Sequence, residues 1–351
     1  MGGGRRSLAA AGWAWHARGM SELVTALKGA HLSKRSLEVL VLNEREVTDL
    51  LDLGELLEEL GEGFRALSAR EVNAPERDEI AMPGESFLLS MPGVLSGGHM
   101  TVKVVTVFEQ NLGAGLPSHL ATINLYDAST GVCLAFMDGT YITAIRTAAS
   151  AAVSTRLLAR EDAKVLTVLG AGVQGLNHLR VFPLVRDFEE IRVGSEHYED
   201  AQALADRHPN VHAVEDFERA VRSSDVVALA THSPEPLIEP DWVRPGTHVT
   251  SVGYKPPRGE LPRGLLERSS LFVETRLAFE PTPVGSAELA GLDGAAATEL
   301  GEIRPGTRPG RRDSDEITVY KAMGHVVEDI VAAEIVYRRA REQDAGRTVE
   351  L

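Results

Sequence analysis

The chain has 351 residues, 43% of them apolar and 25% charged, with one cysteine and a net charge of −15 from 36 basic and 51 acidic residues. That length holds a large core and about two domains, and the acidic balance argues against a general nucleic-acid binder or attachment to an anionic membrane surface. Cys133 alone excludes an intrachain disulfide and a cysteine-based metal cage, and no apolar run approaches membrane-spanning length, so a cytoplasmic protein is expected.

Residues 1–36 are rich in Gly, Ala and Arg in their first half. Arg5-Arg6 before a short apolar stretch is similar to a twin-arginine export signal, but His16 and Arg18 interrupt the run. The reading is a disordered extension, with Met20 as a candidate natural start. From Leu37 the pattern becomes that of a folded protein. Leu37 to Leu42 reads as a strand, and Asn43 caps a helix with Glu46 three residues on, as a capping box requires. Leu53, Leu56, Leu57, Leu60 and Phe64 mark the apolar face of a second helix. Strand-like runs follow at 86–91, 100–108, 121–126 and 133–137, with Asp127 to Gly131 as a hairpin turn. The apolar neighbours of Cys133, Val132 and Leu134, favour a buried core thiol. A long Ala-rich helix is expected over 140–160.

The next stretch carries the strongest signal. Val165 to Leu169 is an apolar run of strand length, and Gly170, Gly172 and Gly175 follow at G-x-G-x-x-G spacing. The first glycine lets the chain turn off the strand, the second admits a pyrophosphate to the backbone, and the third lets the helix pack close to the sheet. About 20 residues on, a second strand, 191–194, ends at Ser195-Glu196, as the dinucleotide fingerprint demands. Gly170, Ala171, Gly172, Val173, Gln174 and Gly175 are therefore read as the cofactor loop. Ser195 takes the place of the acid that holds the ribose of NAD, while Glu196 would repel the 2′-phosphate of NADP and His197 suits either. The cofactor is NAD(H) or NADP(H), with NAD(H) favoured.

Further short strands at 226–230, 248–252 and 271–273 continue the βα rhythm and imply a parallel sheet. Thr231, after the first of these, is placed near the cofactor ribose. Residues 302–315 read as a loop, and Val319 to Arg341 as one helix with Met323, Val326, Val327, Ile330, Ile335 and Val336 on its apolar face. His208 and His212 have Pro209 between them and no third partner, so no metal is expected. Three cations remain. Arg77 lies in a loop, Lys103 inside the apolar run Val102-Lys103-Val104, and Arg146 near the start of the long helix. Lys103 reads either as a residue on a solvated strand face or as a buried group with a task, and Arg146 either as a surface arginine or as part of a site.

Taken together, Leu89 to Gly93, Val102 to Val107 with Asn111, Met137 to Gly139, Thr143 to Ala149, Leu169 to Gly175, Leu300 to Glu302 and Glu316 to Gly324 with Glu328-Asp329 make residues 37–341 resemble the ornithine cyclodeaminase/μ-crystallin family. The resemblance implies an α/β chain with a Rossmann dinucleotide-binding domain, 148–320, and a discontinuous β-rich (α+β) domain, 37–147 and 321–351, that binds substrate and forms a homodimer. It also implies that Arg77 and Arg146 hold an amino-acid carboxylate and that Lys103 lies beside the reacting carbon; Thr147 and Gly253 join the cofactor set. In the cyclodeaminases an aspartate follows the strand at 247–253, whereas Tyr254 or Lys255 stands there in this chain. Neither is a carboxylate base. The reading is therefore an NAD(P)-dependent reductase of a small α-imino acid, or the reverse amino-acid oxidation, with an ornithine- or lysine-type cyclodeaminase as one alternative. A non-catalytic carrier of cofactor and small ligand is the other.

Overall fold

The structure, a computed structural model, describes residues 37–75, 78–84, 86–282 and 284–351. Arg77, one of the sequence candidates, lies outside them, as do residues 1–36. Two sheets organise the rest. The front half supplies β1 (Glu38–Leu42), β2 (Val72–Asn73), β3 (Asp78–Met82), β4 (Ser86–Leu95), β5 (His99–Val107), β6 (His119–Asp127) and β7 (Cys133–Asp138). From β4 to β7 each strand pairs antiparallel with the next; β2 and β3 both pair with β4, and β1 runs parallel to β7. The turn after β6 closes as read: Asp127 Oδ1 accepts from the Ser129 and Thr130 amides, and Gly131 takes φ 73°.

Two helices follow β1: α1 (Glu44–Leu50), whose N-terminus carries the Asn43–Glu46 capping box, and α2 (Leu53–Ser68). After β7 comes α3 (Thr140–Leu158), on which Ala148, Ala149, Ala151 and Ala152 are fully buried. Small side chains let α3 pack against neighbours on several sides, and it touches strands of both sheets. It runs unbroken across residue 147.

The second sheet comprises β8 (Val165–Leu169), β9 (Glu190–Gly194), β10 (Val211–Val214), β11 (Val226–Leu229), β12 (His248–Ser251), β13 (Ser270–Val273), β14 (Thr298–Glu299) and β15 (Thr318–Lys321). All are parallel, in the order β10-β9-β8-β11-β12-β15-β13-β14. The central β11 and β12 are fully buried, which explains their continuous rather than alternating apolar runs. The helices between them include α4 (Val173–Val181), α5 (Tyr198–Ala205), α6 (Phe217–Arg222) and α7 (Arg263–Leu266).

The tail corrects one reading from the sequence. Val319 to Lys321 is not the start of a helix but most of β15, inserted between β12 and β13; the helix, α8, runs Val326–Gln343. A short apolar run satisfies either period, and partners 70 and 48 residues upstream select the strand, through Thr318↔His248 and Thr318↔Ser270. α8 then packs on β4, β5, β6, α2 and α3, and β16 (Arg347–Glu350) pairs antiparallel with β1. Close approach of α8 to β4 needs Gly93, where a Cβ would lie 2.5 Å from Val326. Cys133 is half-buried at the head of β7 rather than a core thiol. Among the described residues no helix is long and apolar enough to cross a membrane.

Candidate functional site

The three glycines after β8 meet three different demands. Gly170 takes φ 121°, and a Cβ there would fall 2.4 Å from the Ala230 carbonyl oxygen; its amide donates to Gly194 across the strand ends at 2.7 Å. A Cβ on Gly175 would lie 2.0 Å from the Gly170 carbonyl oxygen, so this residue lets α4 begin against the turn. At Gly172 a Cβ would meet no protein atom within 4 Å. Gly172 is also the N-cap of α4 and offers no side-chain cap to the helix amides. Uncapped amides, a helix dipole and bare backbone form a cradle that fits a dinucleotide pyrophosphate. Ala171 and Gln174 are half-buried, Val173 is 66% exposed, and Gln174 Nε2 donates to the Ala144 carbonyl at 3.3 Å. The glycine loop is thereby tied to the first turns of α3, two residues from Arg146.

The other cofactor candidates lie on neighbouring elements, with Thr231 beside Gly170. Ser195 is half-buried and Glu196 and His197 are exposed just past β9, with His197 the N-cap of α5 but making no cap hydrogen bond. Thr147 donates its hydroxyl to the Thr143 carbonyl within α3. Thr231 and Gly253, at the carboxyl ends of β11 and β12, share a partner that sequence reading did not assign. Glu260, fully buried, accepts from the Thr231 amide (2.6 Å), the Thr231 hydroxyl (2.7 Å), the Ser251 hydroxyl (2.8 Å) and the Gly253 amide (2.8 Å). Beside it Lys321 Nζ donates to the Ser251 hydroxyl (3.0 Å) and the Gly253 carbonyl (2.5 Å) and pairs with Glu288 at 2.5 Å. Glu260→Ala is expected to leave two loop amides and two hydroxyls short of an acceptor, costing several kcal/mol at about 1–3 per group; a thermal melt more than about 5 °C lower checks this.

The cations come together as a buried cluster. Lys103 points inward from β5 and is 1% exposed; its Nζ donates to Asp329 Oδ1 at 2.9 Å. Arg146, 6% exposed, donates through Nε to the same Asp329 Oδ1 (3.3 Å) and through Nη1 to Glu328 Oε2 (3.1 Å). Neither carboxylate, both on the first turn of α8, is exposed at all. Asp329 Oδ2 lies 2.8 Å from the Lys103 ammonium without accepting a hydrogen bond from any described residue. Arg146 lies against Gly324, where a Cβ would come within 2.5 Å of Nη1, and the Gly324 amide is held by Glu274 at 3.0 Å. Glu274 is also 1% exposed and faces Tyr320, whose hydroxyl bonds Ser150 at 2.5 Å.

Charge and burial compete in this cluster. Burial, then the nearby Arg146 charge, pull the Lys103 ammonium down to about 8, against the opposing pull of Asp329. Burial pushes Glu328 up to about 7, partly countered by Arg146. Burial works against the Arg146 charge, but Glu328, Asp329 and Glu274 outweigh it and raise its proton affinity, so Arg146 stays charged throughout. The result is a lysine that can change protonation near neutrality, beside an arginine that cannot.

At the position where a cyclodeaminase aspartate is expected, Lys255 pairs at 3.8 Å with Glu109, which also binds His232 Nε2 at 2.6 Å. Tyr254 is half-buried beside it. Among the described residues no group of three or more His, Cys, Asp or Glu could hold a metal ion.

The chain has clear relatives among known proteins. The chain is 38% identical over 240 residues to the ketimine reductase mu-crystallin of Mus musculus, covering 68% of this chain and 75% of that one. It is 30% identical over 325 residues to the Delta(1)-pyrroline-2-carboxylate reductase of Bacillus cereus, covering 89% and 100%. The solved structure of the Thermococcus litoralis Delta(1)-pyrroline-2-carboxylate reductase in complex with NADH and L-proline superposes with a TM-score of 0.83 at 32% identity, covering 89% of this chain and all of that one. The model of the ornithine cyclodeaminase/mu-crystallin family matches residues 37–344. With that family model spanning most of the chain and a reductase 30% identical over 89% of it, the chain belongs to the ornithine cyclodeaminase/mu-crystallin family.

Proposed function

We propose that the chain is an NAD(H)-dependent reductase of the C=N bond of a small α-imino acid, such as the cyclic ketimine 1-pyrroline-2-carboxylate. The observation that carries this reading is the convergence of Lys103 and Arg146 on Asp329, with a glycine turn that Gln174 ties to the helix bearing Arg146. Similarity to reductases of such imines, one solved with NADH and L-proline, supports the substrate class. Glu196, exposed past β9, would repel the extra phosphate of NADP and favours NAD(H).

When bound, the reduced nicotinamide supplies the hydride. Arg146 holds the substrate carboxylate, since a guanidinium presents a fixed fork of donors that suits it. Arg77 is assigned the second carboxylate contact. Lys103 places a proton on the imine nitrogen, which makes the neighbouring carbon electrophilic, and its lowered proton affinity suits it to give that proton up. Burial of both groups keeps water from the reacting carbon and strengthens their fields. Thr231, Gly253 and Thr147 border the cofactor, and Gly170 to Gly175 take its pyrophosphate.

In this proposal residues 37–147 and 321–351 bind substrate and dimerise, residues 148–320 bind the cofactor, and the reaction runs in the cytoplasm. Support for the dimer comes from the outward face of the first sheet. There Met100, Val102 and Val104 on β5, Leu120 and Tyr126 on β6 and Phe136 on β7 alternate with buried inward positions, with Thr106, Thr122 and Asn124 among them. A largely apolar sheet face with only uncharged polar residues between suits an interface between chains. Val104→Glu, set between Ser90 and Thr122 on the flanking strands, is expected to yield monomer in sedimentation velocity, and an unchanged dimer would contradict this use of the face.

The activity is tested by following NADH and NADPH oxidation with 1-pyrroline-2-carboxylate, 1-piperideine-2-carboxylate and pyruvate plus ammonia. Turnover with at least one imine supports the proposal. Proline released from ornithine would instead indicate a cyclodeaminase, and tight cofactor binding without turnover would indicate a carrier.

A further inference from the structure

Resting on the reductase reading, we infer that Asp329 is a positioning residue for the reaction: through its contact with Lys103 it holds the ammonium that protonates the imine, and through the same oxygen it orients Arg146. The geometry is specific. The Lys103 ammonium donates to Oδ1 at 2.9 Å and lies 2.8 Å from Oδ2, and Arg146 Nε donates to Oδ1 at 3.3 Å, so two cations that would otherwise repel each other share one carboxylate. The two side chains come from β5 and α3, and the carboxylate that meets both comes from the first turn of α8. The other nearby carboxylate, Glu328, bonds Arg146 and not Lys103.

Lys103 has few alternatives. Its register partners on the flanking strands are Met91 on β4 and Ile123 on β6, neither charged. Arg146 faces it from α3, Glu328 and Asp329 face it from α8, and Glu274 bears on Arg146 from beyond β13. A fully buried ammonium beside a guanidinium loses its proton unless an anion keeps it. Asp329 is that anion. In the step itself the hydride and its electron pair add to the imine carbon, the proton on nitrogen comes from Lys103, and the lysine is left neutral beside Asp329.

The test compares the alkaline limb of kcat for imine reduction in the wild type and Asp329→Asn, with Lys103 titrated by NMR in both. Asparagine removes the charge but keeps the size. Lys103 then loses its proton more readily, so the limb is expected to move to lower pH by about one unit or more, as for loss of an opposite charge within about 4–6 Å. Asp329→Glu, which keeps the charge, is expected to restore most of the shift. A lower kcat with an unmoved limb would show that Asp329 is merely structural and overturn the inference. Should the asparagine variant fail to fold, Asp329→Ser, also uncharged, takes its place: the same downward shift of the limb and of the Lys103 titration supports the inference, and an unmoved titration overturns it. A wild type that reduces no imine sinks the reductase reading instead. The Lys103 titration, shifted or unshifted by Asp329→Asn, still supports or overturns Asp329's hold on it.

Discussion

Lys103→Met is expected to lower kcat for imine reduction by about 10²- to 10⁴-fold, the usual contribution of a positioned general acid. Methionine fills nearly the volume of the lysine stem, and the strand positions on either side, Val102 and Val104, point to the opposite face, so β5 keeps its register. Removing the ammonium leaves Asp329 with Arg146 as its cationic partner, at 3.3 Å. The stability cost therefore falls below the 3–5 kcal/mol of a buried charge stripped of every partner. Because a carboxylate still meets Arg146, KM is expected to change far less than kcat. Stopped-flow single turnover with saturating NADH checks the split. Wild-type reduction is expected to decline as pH rises through about 8, where Lys103 loses its proton, and that decline should be absent from the residual activity of the methionine variant.

The second large effect concerns the glycine turn, where two neighbouring substitutions are expected to fail in different ways. Gly172→Ala places a methyl where no protein atom lies within 4 Å and where the backbone, at φ −82°, is open to any residue. The variant is expected to fold with an unchanged melting temperature, yet to bind NADH at least about tenfold more weakly, since 1.4 kcal/mol of lost contact suffices. Gly175→Ala places its methyl 2.0 Å from the Gly170 carbonyl oxygen, against backbone that cannot yield. That variant is expected to melt lower by several degrees as well as to lose the cofactor. Calorimetric titration with NADH beside thermal melts separates the two. Equal cofactor affinity in Gly172→Ala and the wild type would remove the pyrophosphate from this loop.

What the sequence revealed, and what it hid, divides along contact range. The glycine turn was legible because strand, turn and helix are consecutive, and Gly170 and Gly175 each answer a backbone constraint within the turn or on the strand ends beside it, while Gly172 keeps the space in front of the helix open. The α1 cap was legible for the same reason, since Asn43 and Glu46 satisfy each other's amides across three residues. Lys103 and Arg146 stood out as cations in apolar surroundings, but the groups that neutralise them did not. Asp329 lies 226 residues from Lys103 and 183 from Arg146, and on a helix an Asp in the first turn reads as an ordinary dipole partner. Glu260 had even less signal, because its acceptor role depends on two strands ending side by side. β15 was misread for a related reason. The run Val319-Tyr320-Lys321 abuts a true helix, and only insertion between β12 and β13 fixes its period. The strand β16 is exposed along its length, so its pairing with β1 leaves no apolar pattern to read.

The measurement that bears most directly on hydride delivery to a carboxylate-anchored imine is isotope transfer. The protein is incubated with 1-pyrroline-2-carboxylate and NADH carrying deuterium at the transferable C4 position, and the proline formed is examined by mass spectrometry and NMR. The account predicts one deuterium, at Cα, with one NADH consumed per proline. Proline without deuterium, or no proline while NADH stays tightly bound, would contradict it.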